Sequence, residues 1–112
     1  MSTPTYSRGE IILIDYPFSN LTGAKVRPAV VVNARHTSND LIIVPLTSRT
    51  GSLLPGEFAL ADWKSAGLNV ATAVKRGLYT VHERLVVRRI GALCGVDMDA
   101  VDSSLRSWLD LR

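Results

Sequence analysis

The apolar residues of this chain come in short, β-branched runs, each cut off by a proline, a glycine or a polar turn. That punctuation constrains the fold more than anything else in the sequence. Residues 10–16 (EIILIDY), 29–33 (AVVVN) and 41–46 (LIIVPL) are too short for stable helices and rich in Ile and Val, so they read as buried strands. The first closes at Pro17, and residues 19–25 (SNLTGAK), with Gly23, suit a hairpin connection longer than the tight two-residue type. Pro28 is expected to start the second strand. Pro45 has no N–H for a ladder, which predicts an edge or a bulge in the third strand and exposes Thr47, Ser48 and Arg49 at its end.

Further along, residues 53–56 read as a turn, 57–61 (EFALA) as a short strand, and 62–66 (DWKSA) as one helical turn capped by Asp62 and stopped at Gly67. Residues 70–82 read as one longer strand bent or bulged at Gly77, and 88–94 (RRIGALC) as a last strand. The period then changes. Met98, Val101, Leu105 and Trp108 follow spacings of three, four and three, which predicts an amphipathic terminal helix capped by Asp97 or Asp99. Five or six short strands with one helix predict a mainly β fold: a small, strongly bent antiparallel sheet or barrel.

With 112 residues, 46% of them hydrophobic, one domain spanning 1–112 is expected, large enough for a core without disulfides or a structural metal. No apolar stretch approaches the roughly 20 residues of a membrane-spanning helix. The polar first residues lack the apolar core of a secretory signal, and a single cysteine cannot form an intrachain disulfide, so the expected setting is the cytoplasm. The formal charge is +3, unevenly distributed. From Val96 onward four acids and two bases give −2, leaving +5 on residues 1–95. The segment 75–89 holds Lys75, Arg76, Arg84, Arg88 and Arg89 against Glu83. Such an excess attracts polyanions, although an ordinary solvated basic face would carry the same charge.

Glycine-rich nucleotide-binding motifs and a GxSxG elbow are both missing from the sequence, and no cofactor is expected. His36, His82 and Cys94 are too scattered to suggest a metal site. What remains is a set of cationic and hydroxyl-bearing residues at strand ends: Lys25 and Arg27 before the second strand, Thr47, Ser48 and Arg49 after the third. Arginine can grip two phosphate oxygens through its planar fork, and a threonine hydroxyl both donates and accepts. In RNA cleavage by the neighbouring 2′-OH, such donors would stabilise the charge on a pentacoordinate phosphorus. Taken singly, each residue is equally at home as a surface charge or a turn hydroxyl.

Together these residues carry a resemblance. The run RGEIILIDYPFSNLTGAKVRPAVVVN, then IIVPLTS, then GL followed by YTV and RRIGAL, resembles the MazF/PemK family of endoribonuclease toxins over Arg8 to Leu111. The resemblance implies an SH3-like barrel, a homodimer, a cognate antitoxin, and cleavage of single-stranded mRNA to 2′,3′-cyclic phosphate and 5′-OH ends without a metal. By motif position, Arg27 and Thr47 match the family's catalytic arginine and threonine. Lys25, Ser48, Arg49, Lys75, Arg76 and Tyr79 are the expected RNA contacts. Many relatives carry an acid near the position of Arg76 and an Asp at that of His82, so the acid or base role falls to another group, with His82 one candidate, or is absent; a single histidine beside a strand end is more often structural. The fifth-strand departures leave a second reading open, a non-catalytic toxin or RNA-binding protein, such as a gyrase binder. The expected antitoxin is small, acidic and partly disordered, and would cover the basic groove.

Overall fold

A computed structural model describes residues 6–16 and 25–112. Seven strands are present among them: β1 (Glu10–Tyr16), β2 (Lys25–Val31), β3 (Asp40–Thr47), β4 (Phe58–Ala59), β5 (Ala73–Val74), β6 (Tyr79–His82) and β7 (Val86–Ala92). A 3-10 turn at Glu83–Leu85 precedes β7, and one helix, α1 (Gly95–Trp108), follows it. The strands pair antiparallel in the order β4-β5-β3-β2-β1-β7, with β6 also pairing to β3. The expected mainly β sheet with a terminal helix is therefore present, with seven strands instead of five or six and without closure into a barrel.

The near-continuous apolar runs are explained by a sheet buried on both faces. Ile11, Val30, Val44 and Leu46 point to one side, where Val101 joins them and Met98, Leu105 and Trp108 of α1 pack against the cluster. Ile12, Ile14, Ala29, Val31, Leu41 and Ile43 point to the other, packed with Val81, Leu85 and Tyr6. Alternation thus serves two cores, so both parities of each run are apolar. Each fully buried Ile or Val contributes about 1.5–3 kcal/mol of transfer free energy, which outweighs the weak strand propensities.

The structure corrects several expectations. Pro28 lies inside β2 opposite Leu13, and the strand starts three residues earlier. Most of the expected hairpin loop, residues 19–24, lies outside the described residues. β3 is not an edge. It pairs with β2 on one side, and on the other with β6 through Asp40–Ile43 and with β5 through Leu46 and Thr47. Pro45 sits where those partners change over, and its carbonyl still accepts from the Lys75 N–H at 3.0 Å. A missing donor costs little where the ladder is already interrupted.

For the same reason residues 70–82 form two short strands instead of one bent strand. A Cβ on Gly77 would come within 2.9 Å of the Tyr79 ring and 3.1 Å of Pro45, so the crossing is a tight one. Residues 57–61 shrink to the two-residue β4, and residues 61–67 form hydrogen-bonded turns without an α-helix. The Asp62 carboxylate there accepts from the Ser65 N–H at 3.2 Å.

The helix cap also differs from expectation. Cys94, not Asp97 or Asp99, occupies the N-cap position and makes no side-chain cap bond. Asp97 is 2% exposed, and its two carboxylate oxygens accept the backbone N–H groups of Ala61 (2.8 Å) and Asp62 (3.0 Å). It thereby ties the first helical turn to the 61–67 turns. The opening Arg8-Gly9 pair is structural too. The Arg8 guanidinium bonds the Val32 carbonyl and the Asp102 carboxylate, while Gly9 joins the Val31 carbonyl and the Leu93 N–H through its backbone.

Candidate nucleic-acid groove

At one end of the sheet, the end of β3 and the start of β2 border a groove of about 580 Å³. Its floor follows from register. Pro28, Leu13 and Arg88 stand side by side across β2, β1 and β7, and Leu46 and Ile90 extend the same surface. Its rim carries Arg27, Thr47, Ser48 and Arg49, and residues 67–70 with Thr72 close one side.

Arg27 and Thr47 come together through pairing. β2 and β3 are matched Val31↔Ile43, Val30↔Val44 and Ala29↔Pro45. The ladder ends two residues short of Arg27 and Thr47, and beyond it both side chains line the groove. The Thr47 hydroxyl oxygen accepts the Arg49 N–H at 3.1 Å. With a lone pair so occupied, the hydroxyl hydrogen is available to a ligand. Ser48 and Arg49 are exposed just beyond.

The wall made by residues 67–70 is pressed directly onto the β7 backbone, which requires glycine on both sides. Gly67 has φ +92°, and a Cβ there would lie 2.7 Å from the Ile90 carbonyl oxygen. A Cβ on Gly91 would run into the Ala66 carbonyl oxygen. Within this wall Thr72 is buried, with its hydroxyl donating to the Val70 carbonyl at 2.8 Å, whereas the Asn69 side chain is exposed. Val26 and Val70 add half-exposed apolar surface, at 50% and 55%.

The electrostatic composition of the lining is one-sided. Among the described residues it includes three arginines (Arg27, Arg49 and Arg88) and neither a carboxylate nor an imidazole. Fixed positive charge without an internal counter-ion, beside hydroxyl donors, is a phosphate-binding arrangement.

The structure divides the residues expected to contact RNA. Arg27, Thr47, Ser48 and Arg49 line the groove together. Lys25 opens β2, and its side chain lies outside the described residues. Lys75, Arg76 and Tyr79 are not among the lining residues. Arg76 borders a separate hollow of about 240 Å³ with Gly77, Leu78, Leu105, Trp108 and Leu109, and Tyr79 pairs with Ile43 on β6. His82 is also elsewhere, beside Tyr6, Glu83 and Arg84, where its Nδ1 accepts the Arg84 N–H at 3.0 Å at the start of the 3-10 turn.

Arg88, Asn69 and Thr72 join the groove without having been singled out from the sequence. Only the adjacent pair Arg88-Arg89 gave a signal there, as part of a basic segment. Among the described residues, no three His, Cys, Asp or Glu side chains gather as metal ligands, and no helix is long and apolar enough to cross a membrane.

Comparison with known proteins places this geometry in context. No curated protein matches the chain significantly by sequence. Among solved structures, MazF (Form-I) from Deinococcus radiodurans superposes with a TM-score of 0.77 at 19% identity, covering 97% of this chain and 100% of that one. The Mycobacterium tuberculosis toxin MazF-mt6 gives 0.73 at 19% identity, covering 92% and 98%. An endoribonuclease in complex with its cognate antitoxin from a Mycobacterial species gives 0.75 at 18% identity, covering 96% and 98%. At such identities the likeness speaks for the fold. The family model describing a PemK-like, MazF-like toxin of type II toxin-antitoxin systems matches residues 7–109, and the chain belongs to that family.

Proposed function

We propose that this toxin is an endoribonuclease that cleaves single-stranded mRNA in the Arg27–Thr47 groove. The observation that carries the reading is the lining itself: three arginines beside the Thr47 hydroxyl, with no acid among the described lining residues. Family membership and the endoribonucleases among the structural relatives support it.

In the reaction the 2′-oxygen of the substrate forms a bond to the adjacent phosphorus as the bond to the 5′-oxygen breaks. The 2′-hydroxyl gives its proton to solvent water, the leaving 5′-oxygen takes one from solvent water, and the products are a 2′,3′-cyclic phosphate and a 5′-OH. Arg27 stabilises the extra negative charge on the phosphorane, and the Thr47 hydroxyl donates to a non-bridging oxygen. Ser48 and Arg49 hold the strand at the rim. Because the substrate supplies its own nucleophile and Arg27 supplies the positive charge at the phosphorus, the step needs no metal-activated water.

The test is to incubate the purified chain with a long unstructured RNA in EDTA and map the cut ends, alongside Arg27→Ala. Discrete cuts with cyclic-phosphate ends that vanish in the variant are expected. Binding without cleavage would favour the second reading, an RNA-binding toxin, which the missing carboxylate and imidazole in the lining also suit.

The partners follow from the same surfaces. An acidic, partly disordered antitoxin suits a groove that lacks its own counter-ions. The hollow between Leu78 and the end of α1, lined also by Leu109 at 47% exposure, suits a homodimer contact. The cytoplasm, where mRNA is translated, is the proposed setting.

A further inference from the structure

We propose that Arg88 is a second anchor for the RNA, binding a phosphate that flanks the scissile one. The inference rests on the endoribonuclease reading above and adds a residue that the family motif does not supply.

Successive residues on β7 point to opposite faces, and the Arg88-Arg89 pair shows the consequence. Arg89 turns away from the groove: its Nε lies 2.6 Å from the Glu10 carboxylate, and its guanidinium stands 5.6 Å from the centre of the Tyr6 ring. Arg88 lines the groove with Ile90, and no ion pair to it is found among the described residues. One arginine is held by an internal carboxylate, while the other presents its charge to the groove.

Register then says which phosphate Arg88 can reach. Arg88 is level with Leu13 on β1 and Pro28 on β2, so β7 stands two strands from Arg27 and three from Thr47. At about 4.8 Å between strands, those separations are about 10 and 14 Å along the sheet. Separations of that size across an apolar floor suit neighbouring phosphates of one strand better than a single phosphate. Leu13, Pro28, Leu46 and Ile90 form an apolar floor between them, suited to a sugar or base face. The strand therefore crosses the floor with its reacting phosphate at Arg27 and Thr47 and a neighbouring phosphate at Arg88.

The experiment uses the full chain and an RNA oligonucleotide containing the mapped cut site, with a 2′-deoxy sugar at the cleaved position for binding. Affinity is measured from about 50 to about 200 mM salt for wild type, Arg88→Gln, Arg88→Lys and Arg89→Gln, and single-turnover cleavage is followed on the all-RNA substrate. Losing one phosphate contact lowers the slope of log affinity against log salt by about 0.7. That loss is expected in Arg88→Gln, with weaker binding and an unchanged cleavage rate at saturating protein. Arg88→Lys restores the slope, and Arg89→Gln leaves it alone.

An unchanged slope in Arg88→Gln overturns the proposal. So does a fall in the saturated cleavage rate at unchanged affinity, because Arg88 would then act at the scissile phosphate. If wild type cuts and Arg88→Gln binds as tightly, only the Arg88 assignment falls. If wild type neither binds nor cuts RNA, the endoribonuclease reading falls and takes this proposal with it.

Discussion

The groove and the helix-docked side of the sheet contrast in what their polar groups do. On the helix side the polar groups are answered from within. Asp97 takes two backbone N–H groups, the Ser104 hydroxyl donates to the Gly56 carbonyl at 2.6 Å, and the Trp108 indole donates to the Pro55 carbonyl at 3.0 Å. In the groove, three arginines share a lining that has no carboxylate among the described residues, and the Thr47 hydroxyl, whose oxygen accepts one backbone N–H, can still donate. A satisfied polar group holds the fold together, whereas a concentrated, unanswered one is kept for a ligand.

The contrast makes predictions that can break it, beginning with the groove. Arg27→Ala should lower the cleavage rate by about 10²- to 10³-fold, as losing one transition-state donor does, without lowering the melting temperature. Thr47→Val should fall in the same direction by about 10²-fold, and Thr47→Ser, which keeps the hydroxyl, should recover most of the activity. A fall in melting temperature matching the activity loss in either variant would mean that the groove residues hold the fold instead.

The helix side should respond in the opposite way. Asp97→Ala leaves two N–H groups without their acceptor, a loss of about 2 kcal/mol visible in urea unfolding. A variant as stable as wild type would show that water replaces the carboxylate and that the turn needs no tether to α1.

The smallest effect concerns Glu57, which lies outside the groove and ties residue 54 to residue 76. Its carboxylate accepts the N–H groups of Arg76 and Leu54, both at 2.8 Å. Those bonds, that to Arg76 first, hold its pKa below the ordinary 4.5 despite some opposing desolvation. A lowered carboxylate pKa stabilises the fold above the unfolded value, and this contribution fades as pH falls through the lowered one. Wild type should therefore be slightly more stable than Glu57→Gln at pH 7, with the difference shrinking below about pH 4.5. A constant difference across that range would remove the charge from the explanation.

The legibility of the sequence differed from element to element. β1 could be read to its end residues, because EIILIDY has both parities apolar and a proline after it. The helix was equally clear from its spacing. The fate of residues 70–82 was not, since the interruption at Gly77 depends on two different segments of β3 lying alongside. Asp97 looked like a cap because an acid in a first helical turn usually complements the macrodipole, but the Ala61 and Asp62 amides it serves are 36 and 35 residues away in sequence.

The site was legible in the same uneven way. Arg27 and Thr47 could be named from motif position, and pairing of their strands brings them to one groove. Lys75, Arg76, Tyr79 and His82 belonged to the same basic segment, yet a break between β5 and β6 directs them elsewhere.

By itself the sequence determined the kind of elements this toxin has, because hydrophobic period and turn chemistry act over a few residues. It also determined which residue types could meet a phosphate. Only the tertiary structure decided which charges are left for one. That choice depends on partners distant in sequence, on Glu10 meeting Arg89 and leaving Arg88 to face the groove.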